Sequence, residues 1–353
     1  MLWASFFLSL LASSVIAPLV IAWYRSHSWL DDPATHTHAK VVHNRAVPRG
    51  GGLVVFFGVL IGSAALLHFD LYLVAILLGA ALLTLVGWLD DVYDIHPAYR
   101  LLSGALASLL VISVGIGIGY VSNPFGPGVI HLDTIQWHFW FLGKQRVLWV
   151  LSDLFALFFL VWNMNIVNWS KGVDGQLPAF VTISLLFISV LAGTFAGDPT
   201  NFGTQQLALI VAGSFAGLLI WNWYPQKMMP GYGAGSLAGY FLGVLAILSG
   251  AKVAMVLMVL AIPTADAVFA IARRIYRGKS PFWGDRGHLH HKLLDVYGWS
   301  KPAIASFYAG SSLVMGLLSL VLPTFLKLVA LGICGLLVVG LQVEAKRRLT
   351  RRK

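Results

Sequence analysis

Two adjacent carboxylates are the first groups in the sequence that could do chemistry. Asp90 and Asp91 end a long apolar run, and Asp94 follows them. Neighbouring carboxylates at the edge of a membrane repel each other, so they become favourable when a divalent cation or a cationic substrate group neutralises them. Arg100 begins the next apolar run and is a candidate phosphate clamp. The simpler interpretation of the acidic pair is a solvated helix end.

A second polar segment, Asn-Ile-Val-Asn-Trp-Ser-Lys-Gly-Val-Asp-Gly, spans residues 165–175. Gly172 and Gly175 flank Asp174, and this pattern suggests a tight turn that brings the backbone close to a ligand. An ordinary polar turn between two helices is the alternative.

Residues 284–291 form a third polar segment, with the sequence Gly-Asp-Arg-Gly-His-Leu-His-His. Three histidines could bind a transition metal. However, the spacing of His288, His290 and His291 is poor for three ligands from one helix face, and no Cys or Glu completes a closed shell. We favour a phosphate site that uses Arg286 and imidazole donors. His291 alone could also have a purely structural role.

A fourth segment, His-Asn-Arg-Ala-Val-Pro-Arg-Gly-Gly-Gly over residues 43–52, is basic and rich in glycine. It could cradle a phosphate group, or it could anchor the following helix to anionic lipid. The sequence supports the two roles about equally.

The composition indicates which kind of structure must position these segments. The chain has 353 residues, of which 58% are hydrophobic and 11% are charged, whereas a soluble domain carries roughly 25% charged residues. Too few polar side chains remain to cover a globule, so lipid must solvate much of the surface. Cys334 is the single cysteine, which excludes an internal disulfide. The net charge of +10 fits basic residues beside membrane spans better than nucleic-acid binding.

Apolar segments of membrane-spanning length recur along the whole chain. A bilayer core of roughly 30 Å needs about 20 apolar residues in a helix. By that rule we predict an all-α integral membrane protein, a single domain of residues 1–353 with about eleven transmembrane helices and ten as the alternative count. The predicted spans are 2–24, 51–68, 71–89, 101–120, 147–166, 177–196, 204–222, 234–250, 252–271, 303–322 and 324–343. The first is too long for the apolar region of a signal peptide, so we expect it to be retained.

The basic residues predict the orientation of this bundle. The tail 344–353 carries six Lys and Arg residues, which puts the C-terminus in the cytoplasm and, with an odd number of spans, the N-terminus outside. In this orientation 20 of the 24 Lys and Arg residues lie on the cytoplasmic side, together with all four polar segments and the long loop 272–302. Transporters more often place their charges at the bilayer midplane. We therefore predict a multi-pass enzyme of the inner (plasma) membrane, with its site on the cytoplasmic face.

Taken together, the four segments resemble the motifs of the polyprenyl-phosphate N-acetylhexosamine-1-phosphate transferases, a superfamily also called glycosyltransferase family 4. The resemblance covers nearly the whole chain, in order. H-x-x-P-x-P-R-x-G-G matches residues 43–52 except that its first Pro is Ala46, D-D-x-x-D matches 90–94, N-x-x-N-x-x-D-G-x-D-G matches 165–175, and H-x-H-H matches 288–291. The last motif is most similar to the bacterial undecaprenyl-phosphate GlcNAc-1-phosphate transferase branch.

The resemblance implies a reaction and assigns roles to residues. Such enzymes transfer a sugar-1-phosphate, here GlcNAc-1-phosphate or a related HexNAc-1-phosphate, from a UDP-sugar to polyprenyl phosphate in the lipid bilayer. They release UMP, use Mg²⁺ and so initiate a lipid-linked cell-envelope glycan. It implies that Asp90 and Asp91 are catalytic and that Asp91, Asn168 and Asp174 are metal ligands. The implied substrate-binding residues are Lys40, Arg49, Asp94, Arg100, Asn165, Lys171, Tyr232, Arg286, His288, His290 and His291.

Two positions depart from the family pattern. Lys171 stands where the first Asp of D-G-x-D-G is expected, and Tyr232 stands where a further motif, G-D-x-G-S, has its Asp. Loss of these carboxylates weakens a Mg²⁺ site. Lys171 could then neutralise the diphosphate as a point charge, while Tyr232 could stack on a base or hydrogen-bond a phosphate.

A catalytically silent relative that binds polyprenyl phosphate or a nucleotide sugar is the alternative to an active transferase. A third class, a transporter or lipid flippase, is disfavoured because charge pairs at the bilayer midplane are absent from the predicted spans. Some members of the superfamily are dimers, and no sequence feature here decides between a monomer and a homodimer.

Overall fold

The computed structural model describes residues 2–34, 44–141, 143–194, 199–250, 252–280 and 286–351. These residues form the helices α1 Leu2–Ser26, α2 Gly51–Leu66, α3 Leu71–Tyr93, α4 Pro97–Ser113, α5 Val150–Trp169, α6 Gln176–Thr194, α7 Pro199–Asn222, α8 Gly231–Leu248, α9 Lys252–Val259, α10 Ala261–Tyr276, α11 Leu289–Asp295, α12 Lys301–Val321 and α13 Thr324–Arg351. The short strands are β1 Leu30–Asp31, β2 Val47–Pro48, β3 Tyr120–Ser122, β4 Val129–His131, β5 Gln136–Phe141 and β6 Lys144–Trp149.

The apolar helices agree with the predicted spans. In the described ranges, eight helices are long and apolar enough to cross a membrane, and the bent pair of α9 and α10 is a ninth candidate. The helices α2 and α4 are apolar but shorter. Each predicted span therefore coincides with an apolar helix or with the bent pair. The predicted all-α polytopic membrane fold is confirmed, whereas the number of crossings and the orientation of the termini stay predictions.

The fourth predicted span, 101–120, is shifted towards the N-terminus, because α4 runs from Pro97 to Ser113. The Nδ1 atom of His96 caps the helix start by accepting a backbone hydrogen bond at 3.2 Å, and Pro97 at the first position needs no hydrogen-bond donor. Gly115 follows the helix with a φ of +99°. This left-handed conformation ends the helix and satisfies its last carbonyl groups.

The ninth predicted span, 252–271, is not one straight helix, because α9 and α10 meet at an angle of 85°. Pro263 lies in the first turn of α10, and its missing N–H leaves the carbonyl of Val259 without a helical partner. Ser312 of α12 donates its hydroxyl group to that carbonyl at 2.7 Å. A neighbouring helix thus satisfies the backbone at the break, as backbone groups inside a membrane require.

Two β-hairpins between α4 and α5 are an addition that the all-α prediction did not include. β3 pairs with β4, and β5 pairs with β6, both antiparallel. The sequence of β5, Gln-Trp-His-Phe-Trp-Phe, is rich in aromatic residues, which favour strands. Near the site, β1 pairs with β2 and holds the segment before α2.

α8 lies at the centre of the bundle, and its residues from Gly231 to Ala246 are all buried. Gly233 packs directly against Gly52 of α2 and Gly87 of α3. Small residues let membrane helices approach closely, so this contact brings α2, α3 and α8 together near the start of α8.

Substitution of Gly87 tests this packing. A side-chain carbon at Gly87 would overlap the backbone of Gly233, so Gly87→Ala should lose about 1–3 kcal/mol of folding free energy, as overpacking does. The measurement is the Tm of detergent-solubilised protein, followed by tryptophan fluorescence. Gly335→Ala in α13 is the matched control, because no described atom lies within 4 Å of its added carbon. An unchanged Tm for Gly87→Ala would contradict the close helix contact.

Candidate functional site

The acidic pair lies at the C-terminal end of α3. The buried carboxylate of Asp90 forms an ion pair with Arg100, whose Nε lies 2.5 Å from Oδ1. A second nitrogen of the same guanidinium binds Asp94 at 2.9 Å. Asp94 caps α3 in the left-handed conformation with a φ of 47°, which Asp adopts more readily than most residues. Arg100, predicted to be a phosphate clamp, is therefore held between two carboxylates.

Asp91 lies against the N-terminus of α8. Its Oδ1 accepts a hydrogen bond from the backbone N–H of Tyr232 at 3.1 Å, and the N-terminus of a helix stabilises negative charge. The preceding residue, Gly231, has a φ of +66°. A side-chain carbon at Gly231 would overlap both Asp91 carboxylate oxygens and the carbonyl of Arg49. Only glycine permits both the conformation and the approach.

Lys171 brings a positive charge to Gly231. Its Nζ donates a hydrogen bond to the carbonyl oxygen of Gly231 at 2.5 Å. Burial lowers the pKa of the Lys171 ammonium to about 7, although the carboxylates of Asp91 and Asp90 act to raise it. The structure therefore brings the second predicted segment into electrostatic contact with the acidic pair.

The side chain of Tyr232 is directed towards α4. Its hydroxyl group donates to the carbonyl of Arg100 at 2.9 Å, and its ring centroid lies 5.7 Å from the guanidinium carbon of Arg100. The phenol attaches α8 to α4, and the backbone of Tyr232 is what reaches Asp91. Its predicted role in substrate binding stays a prediction.

Asp174 is buried in an ion pair that the sequence does not indicate. Its Oδ1 lies 3.0 Å from Nζ of Lys301 at the start of α12, and its Oδ2 accepts the backbone N–H of Gln226 at 3.1 Å. Both carboxylate oxygens are thus used within the chain. The pair attaches the turn between α5 and α6 to α12. Lys301 lies in none of the four motifs, so only the folded structure identifies it.

His288 is oriented by Asp266 of α10. Oδ2 of Asp266 lies 2.9 Å from Nδ1 of His288, and Oδ1 accepts the backbone N–H of Leu289 at 2.8 Å. The other ring nitrogen of His288 lies 3.3 Å from Arg274, and its ring centroid lies 6.2 Å from that of Trp169. Asp266 lies in none of the four motifs, but as an acidic residue inside a predicted apolar span it stands out in the sequence.

His290 and His291 are buried beside His288. The ring of His290 packs against Gly172 so closely that a side-chain carbon at that glycine would overlap it. Burial lowers the pKa of His290 well below its ordinary value and lowers the pKa of His291 to about 4. Both imidazoles are therefore neutral at pH 7 and can offer one N–H donor each. The contact of His290 with Gly172 joins the histidine segment to the turn that carries Lys171.

Two arginines predicted to bind phosphate are paired with aspartates. Arg286 binds both oxygens of Asp295, at 2.8 and 2.9 Å, on a partly exposed surface. Arg49 binds Asp31 at 2.6 Å. Burial acts to lower the pKa of Arg49, but the carboxylates of Asp31 and Asp91 outweigh it and raise the pKa.

The predicted asparagines lie on the last turns of α5. The amide of Asn165 donates to Val161 in its own helix at 2.8 Å. The Oδ1 atom of Asn168 is buried against Gly235 of α8, and among the described residues it has no hydrogen-bond partner. Lys40, His43 and Asp285 lie outside the described residues.

The residues predicted to bind Mg²⁺ do not fit such a site. Asp174 is engaged by Lys301 and Gln226, so of the predicted ligands only Asp91 and Asn168 keep an acceptor oxygen without a hydrogen bond among the described residues. Within the described ranges, no group of three or more His, Cys, Asp or Glu residues could hold a metal ion. Lys171 also adds positive charge, whereas Mg²⁺ is bound by carboxylates and other oxygen ligands. The Mg²⁺ cofactor stays a prediction from the resemblance.

Residues 73–250, about half of the chain, match the family model described as Glycosyl transferase family 4. The chain belongs to glycosyl transferase family 4. The matched region of this family 4 protein contains the acidic pair, Lys171 and the start of α8. The histidine segment lies beyond it and is joined to it by the contact between Gly172 and His290.

This family 4 protein is similar to several named transferases. It is 26% identical over 349 residues to the Bacillus subtilis protein named "Probable undecaprenyl-phosphate N-acetylglucosaminyl 1-phosphate transferase", covering 97% of this chain and 90% of the relative. It is 27% identical over 293 residues to the undecaprenyl-phosphate alpha-N-acetylglucosaminyl 1-phosphate transferase of Yersinia pestis, covering 77% and 72%. It is 29% identical over 313 residues to the phospho-N-acetylmuramoyl-pentapeptide-transferase of Lactobacillus delbrueckii, covering 84% and 91%. The predicted superfamily and bacterial branch are confirmed.

Removal of Lys301 tests the buried ion pair. Lys301→Met leaves the carboxylate of Asp174 buried without a counter-charge, which typically costs about 3–5 kcal/mol. The Tm in detergent should fall strongly, and Asp174→Asn combined with Lys301→Met should recover part of the loss. Arg348→Met is the control, because it breaks an exposed pair with Glu344 that is worth about 0.5 kcal/mol. Equal Tm values for Lys301→Met and the control would contradict the buried pair.

Proposed function

We propose that this chain transfers GlcNAc-1-phosphate, or a related HexNAc-1-phosphate, from a UDP-sugar to polyprenyl phosphate and releases UMP. The observation that carries the proposal is the contact at Gly231, where Asp91 and Lys171 meet beside Asp90 in a family 4 protein. Relatives that bear the names of polyprenyl-phosphate GlcNAc-1-phosphate transferases support the substrate classes.

The chemistry required of the site is a single phosphoryl transfer. An oxygen of polyprenyl phosphate forms a bond to the β-phosphorus of the UDP-sugar, and the bond from that phosphorus to the bridging oxygen breaks. UMP leaves with the bonding electron pair, and the lipid keeps the sugar-1-phosphate. Such a reaction is catalysed mainly by positioning and by neutralisation of charge on the phosphates.

The two carboxylates have different surroundings and therefore different roles. Asp90 is neutralised by Arg100, so it holds Arg100 and the start of α4 in position. Asp91 forms no salt bridge with an arginine among the described residues, and it is the carboxylate available to accept a proton from the acceptor phosphate. A general base of this kind contributes about 100-fold or more to the rate.

The positive groups around Asp91 suit two phosphorylated substrates. We assign Lys171 and Arg49 to the phosphates. His288, whose ring contacts Trp169 shortly before Lys171, is assigned to the same role. The remaining predicted contacts, those of Lys40, Asp94, Arg100, Asn165, Tyr232, Arg286, His290 and His291, belong to the same proposal. The acceptor is a lipid phosphate. It can approach from the bilayer because Asp91 lies at the end of the apolar helix α3.

A catalytically silent protein that binds polyprenyl phosphate or a nucleotide sugar is the second candidate. The observation in its favour is the poor fit of the donor set to Mg²⁺ at the site. It differs from the first candidate in one outcome, since it binds substrate and forms no lipid-linked sugar.

A transfer assay tests the proposal. Purified protein, polyprenyl phosphate and labelled UDP-GlcNAc should give a lipid-linked product, and Asp91→Asn should lower the rate by about 100-fold or more because it removes the base. Asp133→Asn, between β4 and β5 and paired with His131 on the surface, is the control and should keep full activity. No product with any UDP-HexNAc, despite measurable binding, would favour the silent protein.

We also propose that the protein lies in the inner (plasma) membrane with this site facing the cytoplasm. The distribution of Lys and Arg supports this orientation, with 20 of 24 on one predicted side. The ends of α3, α5 and α8 that carry Asp91, Lys171 and Gly231 are brought together by direct contacts, so they share one side.

Cysteine labelling tests the orientation. Because Cys334 is the single cysteine, Cys334→Ser gives a background without thiols. In this background we place a cysteine between β3 and β4, on the predicted outer side. Phe125→Cys, at a position 88% exposed, should react with a membrane-impermeant maleimide in intact cells. Lys346→Cys in the basic tail should react only after permeabilisation. The reverse pattern would overturn the orientation.

A further inference from the structure

Lys171 places an ammonium group inside the acidic site, where the carboxylates of Asp91 and Asp90 favour its charged form against the effect of burial. Its ammonium is held by the carbonyl of Gly231, and Gly231 itself contacts the carboxylate of Asp91. An ammonium group has three N–H donors, and in the described part of the chain one of them binds this carbonyl. Two donors therefore remain for a ligand bound beside Asp91.

Most other charges around Lys171 are already neutralised within the chain. The pairs are Asp90 with Arg100, Asp174 with Lys301, and Arg49 with Asp31. Among the described residues, Asp91 and Lys171 are the charges at Gly231 that lack such an ion pair. Asp91 and Lys171 act on each other through their charges, so a diphosphate that binds beside Gly231 meets in Lys171 a cation that no salt bridge in the described part of the chain holds.

We propose that Lys171 is the built-in counterion of the nucleotide-sugar diphosphate, so that this site binds a UDP-sugar without a divalent cation. The inference rests on the proposed function and specifies how its donor is held. A Mg²⁺ ion needs near-octahedral oxygen coordination, which Asp91, Asn168 and the already paired Asp174 do not supply. An ammonium needs no coordination shell, and as a point charge with rotatable donors it can contact two phosphate groups.

The two kinds of counterion differ in what they require. A metal ion is lost to a chelator, whereas a lysine side chain is part of the protein. Binding that depends on Lys171 should therefore be insensitive to EDTA and sensitive to the charge at this one position. Arginine at this position keeps the charge, so most of the affinity should remain although a planar guanidinium differs in shape from an ammonium.

Affinity for UDP-GlcNAc tests the proposal on the full-length chain in detergent. Isothermal titration gives Kd, and the intrinsic tryptophan fluorescence, to which Trp169 beside His288 contributes, gives a second readout. For the wild type, Kd in EDTA and in Mg²⁺ should agree within about twofold. Lys171→Met should raise Kd about tenfold or more in both buffers, while Lys171→Arg should retain most of the affinity.

Lys171→Asp is the most informative variant. It replaces the ammonium by a carboxylate next to Asp91, so it should bind UDP-GlcNAc weakly in EDTA and recover affinity in Mg²⁺. Lys227→Met is the matched control, because Lys227 is an exposed cation whose ammonium lies over the ring of Trp221. It should bind like the wild type. The Tm of each variant establishes that the loss of binding is not a loss of folding.

The outcomes separate this inference from the proposed function. Wild-type binding that disappears in EDTA and returns with Mg²⁺ overturns the role of Lys171 and leaves the transferase standing. Equal affinity of Lys171→Met and the wild type also overturns it. A wild type that neither binds nor transfers any UDP-HexNAc, with or without Mg²⁺, overturns the proposed function and this inference together.

Discussion

The start of α8 is the point on which the site depends, because three separate segments contact Gly231 and a side chain there would overlap two of them. The carboxylate of Asp91 and the carbonyl of Arg49 lie against the Cα of Gly231. Nζ of Lys171 binds the carbonyl oxygen of Gly231. The left-handed conformation of Gly231 also directs the next backbone N–H, that of Tyr232, at Asp91. One residue without a side chain therefore sets the distance between the acidic and the basic group.

Buried polar contacts attach these segments to the surrounding helices. The pair of Asp174 and Lys301 attaches the turn with Lys171 to α12, and Asp266 attaches the histidine segment to α10 through His288. A buried charge without its partner is strongly unfavourable, so each pair favours one arrangement of the helices it connects. Glycine contacts between α2, α3 and α8 supply the close approach that these short polar distances require.

The motif residues could be predicted from the sequence because each motif is short and its chemistry is unusual for an apolar chain. Asp90, Asp91 and Lys171 were all predicted, and the structure places them together. The ion-pair partners of the motif residues could not be predicted from the sequence. Arg100 was assigned to phosphate but binds Asp90, and Asp174 was assigned to a metal but binds Lys301. The charge of a side chain is visible in a sequence, whereas its nearest counter-charge is not.

The sequence by itself determined the membrane class, the approximate spans and the residue types of the site. These depend on apolar length, charge and spacing, which are local properties of the chain. Only the tertiary structure decided that α9 and α10 form a bend, since the carbonyl released by Pro263 is satisfied by Ser312 of another helix. It also decided that Asp91 and Lys171 meet at Gly231. Ion pairs and close helix contacts join residues far apart in the chain, and they form only once the helices have packed.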